Sequence, residues 1–243
     1  VLIRKKTGFQ GTVFFVPHHV SHASSVFYPS PFEEAAIVTV DGVGEYKTTG
    51  LWHGRGLDIA PLAHINFPHS LGLFYSTITA YLGFRVNDDE YKVMGLAAYG
   101  TPSFKHELCR TLSVKDDGSF ELNLKYFSFP YRSQMWNRHF ESLLGAPRRP
   151  HEPIDARHAD IAATVQYILE DVYFKILNHA HQLTGSSNLC ISGGVALNAL
   201  ANGKLYERTP FKNAYVLGPA GDNGGALGAA LYAARNLSGQ ARR

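Results

Sequence analysis

Three imidazoles fall within five residues at His18-His19-Val20-Ser21-His22. If this stretch is helical, the i, i+4 pair His18 and His22 projects from one face and His19 lies about 100° around the axis. Neutral imidazole is the commonest protein metal ligand, so two of them one turn apart make a two-point grip on one ion, provided that carboxylates elsewhere complete the shell. The plain alternative is an ordinary turn carrying unliganded histidines, in a chain that holds 12 of them.

Three turns offer the remaining groups. In Asp41-Gly42-Val43-Gly44 the glycines let the backbone curl and point N–H groups inward, a nest for phosphate oxygens, and Asp41 offers a carboxylate to a metal. An Asp-Gly hairpin turn explains the same residues. Ser192-Gly193-Gly194 at a strand-to-helix junction presents helix N-terminal amides, with Asn198 one turn on, or else is a tight loop whose glycines serve positive φ. Asp222-Asn223-Gly224-Gly225 supplies either a helix N-cap or a third or fourth metal ligand. All three sit at strand ends, where open α/β sheets bind their ligands.

The elements that position these turns follow from pattern. Residues 12–16 are β-branched and aromatic and read as a strand ending at Pro17. A helix through 23–28 is stopped by Pro29 and Pro31. Strands are predicted at 35–40 and 46–52 with the turn at 41–45 between them, and a third strand lies within 56–65. Leu71, Phe74, Ile78, Tyr81 and Leu82 give a helix over 70–82 with Gly83 as its cap. A glycine-bounded apolar segment fills 91–100, and 101–157, weak in periodicity and rich in breakers, reads as an insertion. A long helix over about 156–183 carries the apolar stripe Ile161, Val165, Ile168, Leu169, Val172, Ile176 and Leu177. Then come a strand at 188–192, a helix over 195–208, a strand at 214–217 and a helix to about 235, whose small residues Ala226, Gly228, Ala229 and Ala230 permit close packing. The order gives an α/β fold with a mixed sheet.

With 45% hydrophobic and 18% charged residues, 243 residues can bury a substantial core. The formal charge of +3 is scattered apart from Arg148-Arg149 and Arg242-Arg243, so nucleic acid is an improbable partner. Two distant cysteines indicate neither a disulfide framework nor a Cys-based zinc site, and suit a reducing compartment. No apolar run approaches the roughly 20 residues of a spanning helix and the start lacks a signal-peptide core, so a cytoplasmic protein without membrane partners is expected. A first residue of Val1 points to a piece of something longer.

Read together, His18-His19-Val20-Ser21-His22-Ala23, Val38-Thr39-Val40-Asp41-Gly42, the run from Glu90 to Gly100, Ser192-Gly193-Gly194-Val195-Ala196-Leu197-Asn198 and Gly221-Asp222-Asn223-Gly224 resemble the O-carbamoyltransferases of nodulation-factor and antibiotic biosynthesis. The related domain that transfers threonylcarbamoyl to tRNA shares the histidine pair and two of the turns, and is the nearest alternative; a basic groove for tRNA is not evident. The resemblance implies an actin-like ATPase, ribonuclease H-like lobe with a mixed sheet flanked by helices. Residues 1–34 would end an incomplete first lobe and 35–243 would form the second, with the insertion at about 101–157. It implies ATP and a divalent metal, iron(II), held by His18, His22, Asp41 and Asp222. Nucleotide contacts would come from Gly42, Val43, Gly193, Gly194, Asn198 and Asn223. His19 is a weak candidate for the base that takes the acceptor's proton, against a supporting or surface role. Lys92 is a weak candidate for charge beside a phosphate, against a solvated lysine. The implied reaction takes carbamoyl phosphate and ATP to carbamoyl-adenylate in a C-terminal domain missing from this chain, then passes the carbamoyl group to a hydroxyl of a small-molecule acceptor. The 101–157 segment would help shape the acceptor pocket, because loops carry specificity. Without the flanking parts, the chain can also be a binding module that holds ATP and metal without turnover.

Overall fold

The computed structural model describes residues 2–238. A short helix α1 (Leu2–Thr7) precedes the histidine helix α2 (His18–Phe27), then strands β1 (Glu34–Gly44), β2 (Lys47–Arg55) and β3 (Asp58–Asn66), and helices α3 (Leu71–Tyr81) and α4 (Glu90–Ala97). Short elements follow, α5 (Lys105–Leu108), β4 (Leu112–Val114), β5 (Phe120–Leu122) and α6 (Arg138–Leu144), before the long α7 (Ala156–Thr184). The chain ends with β6 (Asn188–Ser192), α8 (Ala199–Asn202), α9 (Leu205–Arg208), β7 (Asn213–Val216) and α10 (Gly225–Ser238).

The main sheet runs β3-β2-β1-β6-β7. β1–β2 and β2–β3 are antiparallel, whereas β1–β6 and β6–β7 are parallel, so β1 sits where the pairing changes sense. This is the mixed sheet that the ribonuclease H-like resemblance implies. Because side chains alternate across a strand, Ala35 and Ile37 of β1 join Phe27, Trp52 and Cys190 in one apolar cluster, while Ala36, Val38 and Val40 face the larger core under α3 and α7. Both faces of β1 are therefore covered, which accounts for its unbroken apolar run.

α7 forms where its stripe predicts. Asp155 accepts from the His158 backbone N–H while the His158 ring accepts from the Asp155 N–H, and Gly185 ends the helix at φ 66. α3 is capped by Ser70, whose hydroxyl accepts from Leu73 N, with Gly83 beyond its end at φ 73. α10 packs on α2 as its small residues suggest: a Cβ at Gly228 would collide with the Ser21 carbonyl oxygen.

Three expectations need correction. Residues 12–16 form no strand; Phe14 and Phe15 are exposed, and a strand needs a ladder partner that this segment lacks among the described residues. The 41–45 turn lies within β1, which runs on to Gly44 through an irregularity after Val40, and the reversal is made at Glu45-Tyr46, with Glu45 at φ 59. The single helix over 195–208 is a 3-10 turn at Gly194–Leu197 followed by α8 and α9, because Asn198 leaves helical geometry at ψ 92 and caps α8. The apolar 91–100 segment is largely the helix α4, with Val93 its one buried residue. Within 101–157, Leu108, Leu112, Phe120, Phe127 and Phe140 are buried in the same core as β1, α3 and α7. No described helix is long and apolar enough to cross a membrane.

Candidate metal centre

His18, His22, Asp41 and Asp222 come together although 204 positions separate the first from the last. Each offers one ligand atom, and the four atoms lie within 4.8 Å of one another. His18 Nε2 and His22 Nε2 are 3.0 Å apart, and lie 3.0 and 2.9 Å from Asp41 Oδ2. Asp222 Oδ1 is 3.4 Å from both. Two imidazole nitrogens and two carboxylate oxygens converging on one point suit a divalent first-row ion. To bind one ion, both Nε2 atoms must be unprotonated, with each ring proton on Nδ1.

The sheet ends build this arrangement. The β1 irregularity re-aims Asp41, whose Oδ1 accepts from the N–H groups of Gly42 at 2.8 Å and Gly194 at 3.2 Å, leaving Oδ2 to the histidines. Burial alone would push the Asp41 carboxyl pKa up, but the bonds with His18 and His22 outweigh it and hold the group far below the usual carboxylate range. The same bond to Asp41 raises the His18 pKa. A Cβ at Gly44 would overlap the His18 ring, so this glycine makes room for that ring.

Gly42 and Gly194 were expected to cradle phosphate with their amides; both N–H groups instead hold Asp41. The Gly193 N–H is bonded to Ala220 O at 2.8 Å. The Asn198 side chain is engaged by Gln166 on both its oxygen and nitrogen, and its oxygen also caps Ala201 N. Asn223 is exposed beside Asp222.

His19 is 2% exposed and faces away from the cluster. Its Nε2 must donate to the Lys47 carbonyl at 3.0 Å, so Nδ1 accepts from the Thr39 hydroxyl at 2.8 Å, and burial lowers its pKa to about 4. With both nitrogens committed, His19 is not the acceptor's base. Lys92 is exposed, pairs with Asp89 at 2.7 Å and is not among the residues that line the cavity.

A cavity of about 570 Å³ opens beside the cluster. Asp41, Gly42, Val43, Gly194, Asn198 and Asp222 line it, as do residues to which the sequence analysis gave no role in the site: Leu73, Tyr75, Glu90, Tyr91, Met94 and Leu169. None of its lining residues comes from 101–157, whose side chains fill the core, so the expected contribution of that segment is not found here. Nor is any lining residue a lysine or arginine. Behind the wall, Gln166 joins Tyr75, Asn198 and Glu170, and Lys204 closes on Glu170 at 2.7 Å. The polar Gln166 between Val165 and Ile168, in an otherwise apolar stripe, was the signal for this network.

Residues 1–231 match the family model described as carbamoyltransferase N-terminus. The chain is 49% identical over 221 residues to an uncharacterized Synechocystis protein, covering 90% of this chain and 36% of that protein. It is 38% identical over 234 residues to the nodulation protein NolNO of Sinorhizobium fredii, covering 95% and 32% respectively. With NolO of Bradyrhizobium diazoefficiens it shares 37% over 229 residues, covering 93% and 39%. The chain thus spans about a third of the length of the curated relatives it matches. Among solved structures, T. kodakarensis HypF shares the fold, with a TM-score of 0.50 and 17% identity over 98% of this chain and 38% of that one. With nearly all of its length matched, the chain belongs to the carbamoyltransferase N-terminus family.

Proposed function

We propose that this chain is the metal-bearing transfer domain of an O-carbamoyltransferase. Its donor is carbamoyl-adenylate, made from carbamoyl phosphate and ATP in another domain, and its acceptor is a hydroxyl of a sugar or natural product. The observation that carries this reading is the convergence of His18, His22, Asp41 and Asp222 at the edge of a cavity, in a chain of this family. A divalent ion, iron(II) by family resemblance, supplies Lewis-acid polarisation of the carbamoyl carbonyl.

The chain's own residues do the rest. The Gly42 and Gly194 amides fix Asp41, and α2 fixes the two imidazoles. Leu73, Met94, Leu169 and Leu197 give the cavity apolar walls against which the adenylate can pack. Carboxylates and no basic side chain line the cavity, so a metal held by His18, His22, Asp41 and Asp222 would supply the charge that offsets a bound phosphate. In the transfer, the acceptor oxygen bonds to the carbamoyl carbon, the bond from that carbon to the phosphate oxygen breaks, AMP departs and the hydroxyl proton passes to solvent. A reducing, cytoplasmic setting fits an iron(II) site and cysteines that form no disulfide with one another.

The test supplies synthetic carbamoyl-adenylate and a sugar acceptor to the iron-loaded chain and follows carbamoylated product by mass spectrometry. Product formation that stops in His22→Ala is expected. A second reading is favoured by the chain's coverage of about a third of its relatives: a module that binds ATP and metal without turnover. ATP and metal binding without transfer from either carbamoyl phosphate or supplied adenylate would establish it.

A further inference from the structure

Two of the three histidines of α2 meet the two residues of a single rung of the parallel β1–β6 ladder. Thr39 of β1 is in register with Ser192 of β6; Thr39 bonds His19 and Ser192 bonds His22. The first bond secures a buried ring outside the site. The second reaches a proposed ligand.

For His22 to present a lone pair on Nε2, its ring proton must sit on Nδ1, and an acceptor must meet it there. Among the described residues, Ser192 Oγ at 3.1 Å is the atom that meets His22 Nδ1. Ser192 can accept because its own proton has the Ala220 carbonyl at 3.0 Å to go to. Ser25 Oγ, 3.4 Å away, donates to the His22 carbonyl at 2.8 Å and does not reach the ring. Water cannot substitute, since the His22 side chain is 1% exposed; His18, at 26%, can turn to solvent for the same bond. The opposing tautomer puts the proton on Nε2, where it bonds Asp41 Oδ2 at 2.9 Å and removes one lone pair from each of two ligands.

We infer that Ser192 is a positioning residue for the candidate metal centre, its hydroxyl holding His22 in the tautomer that binds an ion. This rests on the metal reading above, and the experiment separates the two. The full chain is stripped of metal and titrated with Co(II), read by its visible absorption. Wild type takes up one equivalent; Ser192→Ala binds roughly 10–100-fold more weakly, the usual consequence of losing a partner of a ligating histidine. Ser25→Ala, which removes a neighbouring buried hydroxyl, binds as wild type does. Independently of any variant, the Zn(II)-loaded wild type shows a slowly exchanging His22 Nδ1–H in a proton–nitrogen spectrum. Equal Co(II) affinity in Ser192→Ala and wild type, or a rapidly exchanging His22 Nδ1–H, overturns the role of Ser192 and leaves the site standing. Failure of wild type to bind Co(II) stoichiometrically overturns the site itself, and the inference with it.

Discussion

Helices α2 and α4 carry two equally distinctive sequence motifs, and they end in opposite circumstances. On α2, His19 and His22 are 2% and 1% exposed, and the ring nitrogens of both meet named partners. On α4 and just after it, Tyr91 and Tyr99 are 62% and 84% exposed, Lys92 meets its neighbour Asp89, and Val93 is the one buried residue of the helix. Burial gives the ring nitrogens of His19 and His22 partners within the chain, which fixes the orientation of both rings. The α4 residues Glu90, Tyr91 and Met94 line the cavity, but from a helix that buries only Val93.

Mutation can break that contrast. The largest expected effect is at the cluster: His18→Ala, His22→Ala or Asp222→Ala abolishes stoichiometric metal, measured by elemental analysis, and stops transfer in the complete enzyme while circular dichroism stays native. Next, free metal at about 100 times its Kd stabilises wild type by about 2.7 kcal/mol in urea unfolding and leaves His22→Ala unmoved. His19→Phe then separates fold from site: it strands the Lys47 carbonyl and the Thr39 hydroxyl at a cost of roughly 1–3 kcal/mol, yet retains metal. Gly228→Ala costs a similar ~1–3 kcal/mol by overpacking against Ser21, again by urea unfolding. Smallest is Lys92→Ala, within about 0.5 kcal/mol of wild type and without effect on metal content.

What was legible in the sequence was local. The α7 stripe, the helix over 70–82 and the strands at 35–40, 46–52 and 188–192 are set by residues within a turn or two of one another, and these appear where the pattern places them. The convergence of His18, His22, Asp41 and Asp222 was suggested by turn position and family resemblance. Their wiring was not readable, because it spans the chain: Gly194 N reaches Asp41 across 153 positions and Ser192 reaches His22 across 170. The same distance explains two misreadings. The helix over 195–208 breaks where Asn198 answers Gln166, 32 residues earlier, and the residues at 12–16 have strand character but no strand beside them.

The four donors differ in freedom. His22 and Asp41 are buried and His18 is packed against Gly44, but the Asp222 side chain is 76% exposed. Three walls of the site are rigid and the fourth is a door on a single hinge. An exposed side chain changes rotamer in picoseconds to nanoseconds, whereas local unfolding takes microseconds or longer. If an ion is held here, its loading and release would be paced by hydration and by the swing of the Asp222 carboxylate.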